Sequence, residues 1–336
     1  MHNRLWMMLV LILIVGFSSC KKKQDIAGFV KIDGSSTVFP ISEAVSEEFR
    51  NQKDAKTQVT VGLSGTGGGF KKFCSGETDI SDASRPIKPS EVELCQNNNI
   101  QYIELPIAYD GLSLVINPKN TWATSITVAE LKKLWEPEAQ DKIKKWNQVR
   151  PSWPDKEIHL FGAGVDSGTY DYFTEAIVGK EHSSRGDFTA SEDDNVLVQG
   201  VSTDDYALGF FGLAYYEENK DKLKILALDD KNAANGNGPV AASVATVMDG
   251  TYQPLSRPLF IYVSIKSLER PEVRSYVDYY LSKASHLVGE VGYISLSDKA
   301  YDLTRQRVEK RISGSLFGGR GSQVGAKIEV LLEQSL

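Results

Sequence analysis

The stretch Phe29-Val30-Lys31-Ile32-Asp33-Gly34-Ser35-Ser36-Thr37-Val38-Phe39-Pro40-Ile41 runs from strand through turn into helix. Residues 29–32 form a short apolar run. Gly34 to Thr37 is a small, hydroxyl-rich turn. Ile41, Ala44, Val45 and Phe49 then fall on one helical face. The same order recurs downstream. Val59-Thr60-Val61-Gly62-Leu63 alternates as a strand does, Ser64-Gly65-Thr66-Gly67-Gly68-Gly69 is the turn, and Phe70, Phe73 and Cys74 follow at helical spacing. Ile80 sits in a third short strand, and Lys88-Pro89-Ser90 marks a helix start with Pro in its first turn. Strands and helices alternating in this way predict an α/β sheet.

The rhythm continues toward the C-terminus. Residues 112–116 form a strand that ends at Asn117-Pro118-Lys119-Asn120, a strong turn signal. Thr127 caps a helix carrying Val128, Leu131 and Leu134, and residues 146–153 have the Pro and Trp content of a surface loop. Residues 158–161 form a strand, followed by a helix with Tyr170, Phe173 and Ile177 on one face. Residues 207–213, 223–228 and 259–263 are further strands. Three helical stretches close the chain, the last over residues 297–312 with Gly314 as its stop, and Gly318-Gly319-Arg320-Gly321 predicts a flexible tail.

The first nineteen residues read as an export signal. Arg4 precedes an apolar run over residues 5–15, too short to span a bilayer comfortably and suited to a signal-peptide core. Phe17-Ser18-Ser19-Cys20, followed by Lys21-Lys22-Lys23, resembles a bacterial lipoprotein cleavage box with Cys20 as the acylated new N-terminus. The alternative is plain secretion with Cys20 as a free thiol. The remaining length suits two domains. If the strands at 112–116 and 259–263 both pass between them, residues 28–115 with 260–336 make one domain and residues 116–259 the other, with 20–27 as a linker.

Without the signal the chain carries 37 basic and 44 acidic residues, a formal charge of −7. That balance argues against nucleic acid as a partner. An anionic ligand would have to be held by local geometry and not by the global field. With Cys20 acylated, Cys74 and Cys95 remain as an even pair. In an oxidising compartment they predict a disulfide, which stabilises by about 3 kcal/mol on chain-entropy grounds. In a reducing compartment they would be two buried thiols. The four His (His2, His159, His182, His286) are scattered, so neither a metal site nor a cofactor is expected.

Three turns share a composition: Asp33 to Pro40, Ser64 to Gly69, and Gly162-Ala163-Gly164-Val165-Asp166-Ser167-Gly168-Thr169. Each follows a strand and opens a helix. In an α/β sheet such turns lie at the carboxyl ends of strands, where ligands bind. Backbone N–H groups at helix starts, with Ser and Thr hydroxyls beside them, are donors suited to an oxyanion. For one such turn, ordinary helix capping is explanation enough; three together point to a shared ligand. Other phosphate motifs fail: Phe70 occupies the third Gly position of a dinucleotide loop, and no Gly-Lys-Ser/Thr is present. A fourth segment, Asp79-Ile80-Ser81-Asp82-Ala83-Ser84-Arg85-Pro86, offers Arg85 as a guanidinium for a tetrahedral anion, or as one half of a structural salt bridge.

Taken together, Gly34-Ser35-Ser36-Thr37-Val38-Phe39-Pro40-Ile41, Ser64-Gly65-Thr66-Gly67-Gly68-Gly69, Ala83-Ser84-Arg85-Pro86 and Asp166-Ser167-Gly168-Thr169 resemble the ligand motifs of the phosphate-binding proteins of ABC transporters. Asp194-Asn195-Val196-Leu197-Val198-Gln199-Gly200-Val201 and Ala207-Leu208-Gly209-Phe210-Phe211-Gly212 resemble further blocks of that family, so the likeness covers residues 29–312. It implies a two-lobed periplasmic-binding-protein fold with two hinge crossovers and a ligand in the interdomain cleft. It implies a monomer that is no enzyme, carries inorganic phosphate to a membrane permease, and is anchored at Cys20. By position it implies ligand contacts at Ser36, Thr37, Val38, Ser64, Ser167, Gly168 and Thr169; Ser84 and Arg85 of the fourth segment are further candidate contacts. The chain departs from the family twice. Ala163 stands where better-known members have Arg, and Ser84 where they have a carboxylate. Arg85 is a candidate replacement for the cation. A carboxylate matters because it accepts a proton that hydrogen phosphate has and sulfate lacks; Asp166 or Asp82 is the candidate, Asp166 being the nearer to the Ser-Gly-Thr turn. A different oxyanion such as sulfate or molybdate is the alternative ligand. A secreted phosphatase using Ser167 is the alternative class, disfavoured because no His, Lys or Cys falls near the motifs to activate it.

Overall fold

A computed structural model of the chain describes residues 28–52, 57–165, 167–191, 193–234, 236–321 and 327–336. The export signal, Cys20 and Asp166 lie outside the described residues. In chain order the elements are β1 (Gly28–Gly34), α1 (Phe39–Arg50), β2 (Thr57–Leu63), α2 (Gly65–Cys74), β3 (Ile80–Ala83), α3 (Pro89–Asn97) and β4 (Tyr102–Ile116). There follow β5 (Ser125–Thr127), α4 (Val128–Trp135), α5 (Trp146–Val149), β6 (His159–Ala163), α6 (Gly168–Phe173), β7 (Thr189–Ser191), α7 (Asp194–Thr203) and β8 (Ala207–Gly212). The chain ends with α8 (Leu213–Glu218), β9 (Lys224–Ile225), β10 (Ala227–Asp229), α9 (Val244–Met248), β11 (Ser256–Ser264), α10 (Pro271–Glu290), β12 (Ile294–Ser295), α11 (Asp298–Glu309) and α12 (Ile328–Ser335).

The main sheet runs β2-β1-β3-β11-β4-β8-β6-β7. β1 pairs parallel with β2 and β3, which requires helical crossovers, and α1 and α2 supply them. β6, β7 and β8 repeat this parallel arrangement at the other end. β4 joins the two halves. From Tyr102 to Gly111 it pairs antiparallel with β11, and from Leu112 to Ile116 with β8. All fifteen of its residues are buried. Such a strand reads as a continuous run, not an alternating one, because both faces are covered.

Each half carries its own packing. α1 turns Ile41, Val45 and Phe49 inward, and α10 answers with Val273, Tyr276, Val277, Tyr280 and Leu281. Polar groups at that contact are paired: Ser46 Oγ lies 2.9 Å from Tyr276 Oη and Ser42 Oγ 3.2 Å from Tyr280 Oη. In the second half the Phe173 ring stacks on Phe210 with centroids 3.7 Å apart, and Trp135 meets both edge-on. Contacts of this kind are each worth about 0.5–1.5 kcal/mol beyond area burial. They fix α6, and hence its N-terminal turn, to β8. Cys74 and Cys95 form a disulfide that ties α2 to α3.

Four expectations needed correction. β4 begins at Tyr102, ten residues before the strand expected at 112–116. Residues 146–153 are not a surface loop: Trp146 is fully buried, Trp153 nearly so, and their rings meet at 5.3 Å. The run 223–228 is split between β9, on β4, and β10, on β5. The tail is not simply flexible. Leu316 N donates to the buried Glu104 at 2.8 Å, and α12 follows, burying Ile328 and Leu332 while Glu329 accepts from Ser297 Oγ at 2.7 Å. No described helix is long and apolar enough to cross a membrane.

Candidate functional site

The turns after β1, β2 and β3 and the segment around α6 meet at a cavity of about 390 Å³ between the two halves. Ser35, Ser36, Thr37, Ser64, Gly65, Thr66 and Ser84 line it from the first half. Asp171, Tyr172, Glu181 and His182 line it from the second, and Arg257 from β11. A wider cavity of about 600 Å³ adjoins it, sharing Ser64, Thr66, Ser84 and His182 and reaching Arg85.

The first turn is held by β3: Ser35 N donates to Asp82 O at 3.0 Å, and Thr37 N to Ser35 Oγ at 3.2 Å. Val38 is the N-cap residue of α1 and fully buried, so only its backbone could face a ligand. The second turn depends on glycine. A Cβ on Gly69 would stand 2.6 Å from Gly34 Cα, so only Gly lets α2 lie this close to β1. Ser64 stands at the N-cap position of α2 without capping it, because its hydroxyl donates to Asp33, which Lys72 also reaches at 2.6 Å. Thr66 Oγ1 accepts from Ser84 N at 3.2 Å and lies 3.0 Å from Ser84 Oγ, linking the second turn to the end of β3.

In the third turn Ser167 Oγ accepts from Thr169 N at 3.1 Å. A Cβ on Gly168 would lie 3.0 Å from the Thr37 backbone, so the two halves meet there at glycine. A second link crosses close by, where Ser36 Oγ donates to Asp171 Oδ2 at 3.2 Å. The motifs on which the family likeness rests are therefore brought together, although 130 residues separate Thr37 from Ser167 along the chain.

The cation at this junction is Arg257, which the sequence reading missed. Its Nη2 donates to Thr37 Oγ1 at 3.0 Å and its Nε to Asp110 Oδ2 at 3.3 Å. Its guanidinium carbon lies 3.5 Å from the centroid of the Tyr172 ring. Asp110 faces it directly in the β4–β11 register. Burial raises the Asp110 carboxyl above its ordinary range, and Arg257 opposes that rise. Arg85, the cation expected from the sequence, is bound elsewhere. It forms a bidentate pair with Glu91 at 2.8 and 2.9 Å, and its Nη1 also donates to Pro86 O at 3.2 Å.

The candidate carboxylates also sort differently. Asp82 is wholly buried beneath the first turn, where Oδ1 accepts from Ser42 Oγ at 3.0 Å; burial and the neighbouring Asp33 raise it to about 8, against the Ser42 bond. Asp171, unremarked in the sequence, lines the cavity instead. Its carboxyl is raised, chiefly by burial, against the pull of His182, Ser36 and Arg257. The expectation that no His lies near the motifs is overturned: His182 Nδ1 is 3.1 Å from Asp171 Oδ1. Ser36 and His182 both approach Asp171, which is not the base-to-nucleophile contact that activates a serine. Among the described residues, no group of three or more His, Cys, Asp or Glu is placed to hold a metal.

A family model described as a PBP superfamily domain matches residues 21–284. Protein SphX of Synechocystis sp. is 50% identical over 92% of this chain and 90% of its own length. The phosphate-binding protein PstS of Staphylococcus saprophyticus is 38% identical over 84% of this chain and 85% of its own. Among solved structures, a possible phosphate binding protein from Planctomyces limnophilus has 47% identity and a TM-score of 0.80, covering 85% of this chain and 99% of that one.

Proposed function

The chain belongs to the PBP superfamily, within the family of PstS phosphate-binding proteins, and on that premise we propose that it binds inorganic phosphate outside the cytoplasm and delivers it to an ABC-transporter permease. One observation carries this reading. The hydroxyl-rich turns after β1 and β2, with Ser84, face Val165, Asp171 and Tyr172 of the second half across one small cavity, which the Ser167-Gly168-Thr169 turn adjoins without lining, and its cation, Arg257, already touches the first turn. Neutral donors suit a buried anion because they bind without adding further charges that need desolvation.

The roles we assign are these. Ser36, Thr37 and the Val38 N–H hold the anion from α1, Ser64 and Ser84 hold it from the neighbouring turns, and Ser167, Gly168 and Thr169 close over it from α6. Arg257 supplies the positive charge that Arg85 was expected to give. The lobes divide where β4 changes partner, between Gly111 and Leu112, and where β11 begins at Ser256. Movement about those two strands would open the cavity. Acylation at Cys20 would hold the protein at the membrane, as a monomer free to reach its permease.

The test is isothermal titration of the purified protein with phosphate, sulfate and arsenate. Tight binding of phosphate, with sulfate much weaker, is the expected result. Tight sulfate binding with none for phosphate would overturn the proposal.

A further inference from the structure

One polar atom in the cavity stands without a hydrogen bond. Asp171 Oδ1 is buried and accepts none from the described residues. His182 Nδ1 lies 3.1 Å away as an ion-pair neighbour, without hydrogen-bond geometry. The other oxygen, Oδ2, is occupied by Ser36 Oγ from the opposite half. The carboxylate is therefore fixed across the cleft, with one acceptor left over. A buried acceptor left unmatched costs about 1–3 kcal/mol, and more when charged. A ligand that brings an O–H to this position removes that cost. A ligand that brings only oxygen lone pairs adds charge repulsion to it.

The remaining surroundings favour this role for Asp171. The other polar side chains lining the first-half side of the cavity are hydroxyls; Ser36 and Ser64 already donate to Asp171 and Asp33, which leaves Ser35, Thr37 and one of Thr66 and Ser84 to donate to an oxyanion. The groups that act electrically on Asp171 are His182, Arg257, Glu175 and Glu181. Asp82 is bound to Ser42 under the first turn, and Ser84 occupies the position where relatives carry a carboxylate. We propose that Asp171 is the specificity-determining residue of the site: it accepts the hydrogen bond of a protonated oxyanion and excludes a fully deprotonated one. His182 acts as a positioning residue that holds the Asp171 carboxylate in its ionised form. The inference rests on the phosphate reading above, but places the selecting group on the α6 side of the cleft.

The experiment is titration calorimetry on the full-length protein with phosphate and with sulfate, comparing wild type, Asp171→Asn and His182→Gln. Asn keeps the shape and offers an N–H where the carboxylate offered only lone pairs. The ratio of phosphate to sulfate affinity should fall at least about tenfold in Asp171→Asn, with sulfate binding gained. A wild-type ratio in Asp171→Asn overturns the inference and leaves phosphate binding standing. No phosphate binding by the wild type overturns the proposed function, and this inference with it. A second readout needs no substitution at Asp171. Sulfate keeps its charge from about pH 8 to about pH 5, so a pH response in its affinity comes from the protein. A carboxyl raised by burial takes up its proton at higher pH than a free one, and once protonated it becomes a donor. Wild-type affinity for sulfate should therefore rise as pH falls. That rise should persist in His182→Gln, shifted to higher pH because the pull that lowers the Asp171 carboxyl is gone, and disappear in Asp171→Asn. A rise that survives in Asp171→Asn and vanishes in His182→Gln would assign the response to the imidazole and overturn the inference.

Discussion

Ser84-Arg85-Pro86 and Ser256-Arg257-Pro258 are the same tripeptide, and the structure gives their arginines different partners. Both arginines are mostly buried, with side chains 17% and 12% exposed. Arg85 follows β3 and turns back onto Glu91, in the first turn of α3, on its own side of the cleft. Arg257 lies on β11, opposite Asp110 of the strand that passes into the second half, and reaches Thr37 and the face of Tyr172. A local motif specifies an arginine rigidly placed beside a proline. What that arginine faces is set by the strand it stands on, and only the second strand runs along the lobe junction.

The comparison can be broken most severely at Arg257. Arg257→Ala removes, among the described residues, the only arginine that donates to the first turn, and leaves Asp110 buried without its partner. The unpaired Asp110 costs folding stability, and a bound anion loses its charge partner, which is worth about 2–5 kcal/mol of binding, so phosphate affinity measured by calorimetry should fall by about a hundredfold or more. Arg257→Lys keeps the charge but loses the planar fork that spans Thr37 and Asp110. A loss of about tenfold is expected in the same measurement. The Arg85–Glu91 pair should behave differently. In a thermal-denaturation double-mutant cycle, Arg85→Ala and Glu91→Gln should each cost about 1 kcal/mol and show coupling of similar size, because they break one shared, partly exposed interaction. The smallest effect should be on ligand: phosphate affinity in Arg85→Ala should stay within about twofold of wild type, since Glu91 already takes its fork. If Arg85→Ala weakens binding more than Arg257→Lys does, the assignment of the two arginines is reversed.

The same pair shows what was legible before any coordinates. The β1-α1-β2-α2 half was readable because its strands and helices are short, regular and separated by turn residues. Its turns, and the Ser-Gly-Thr turn of the second half, were readable as strand-to-helix turns that the fold brings close together. The first ten residues of β4 were not readable as strand because they include Glu104, Pro106 and Asp110. Those groups are tolerated in a central strand only through distant partners: Tyr262 Oη and Leu316 N for Glu104, and Arg257 for Asp110. Residues 146–153 looked solvated for a related reason: their Pro and Arg neighbours hid an aromatic cluster, with Arg150 lying 4.4 Å from the Trp153 ring. Arg257 carried a readable signal, a Ser-Arg-Pro just before a strongly apolar strand, but Arg85 carried it too and stood nearer the recognised motifs. Asp171 carried none, because nothing in Gly-Thr-Tyr-Asp-Tyr says that Ser36 lies across a cleft from it.

The central claim is that phosphate binds at the lobe junction with Arg257 as its charge partner. It is tested most directly by titrating phosphate into the wild type, Arg85→Ala and Arg257→Ala side by side. Wild-type affinity in Arg85→Ala and a loss of about a hundredfold in Arg257→Ala is the predicted result. Strong binding retained in Arg257→Ala and lost in Arg85→Ala would contradict it.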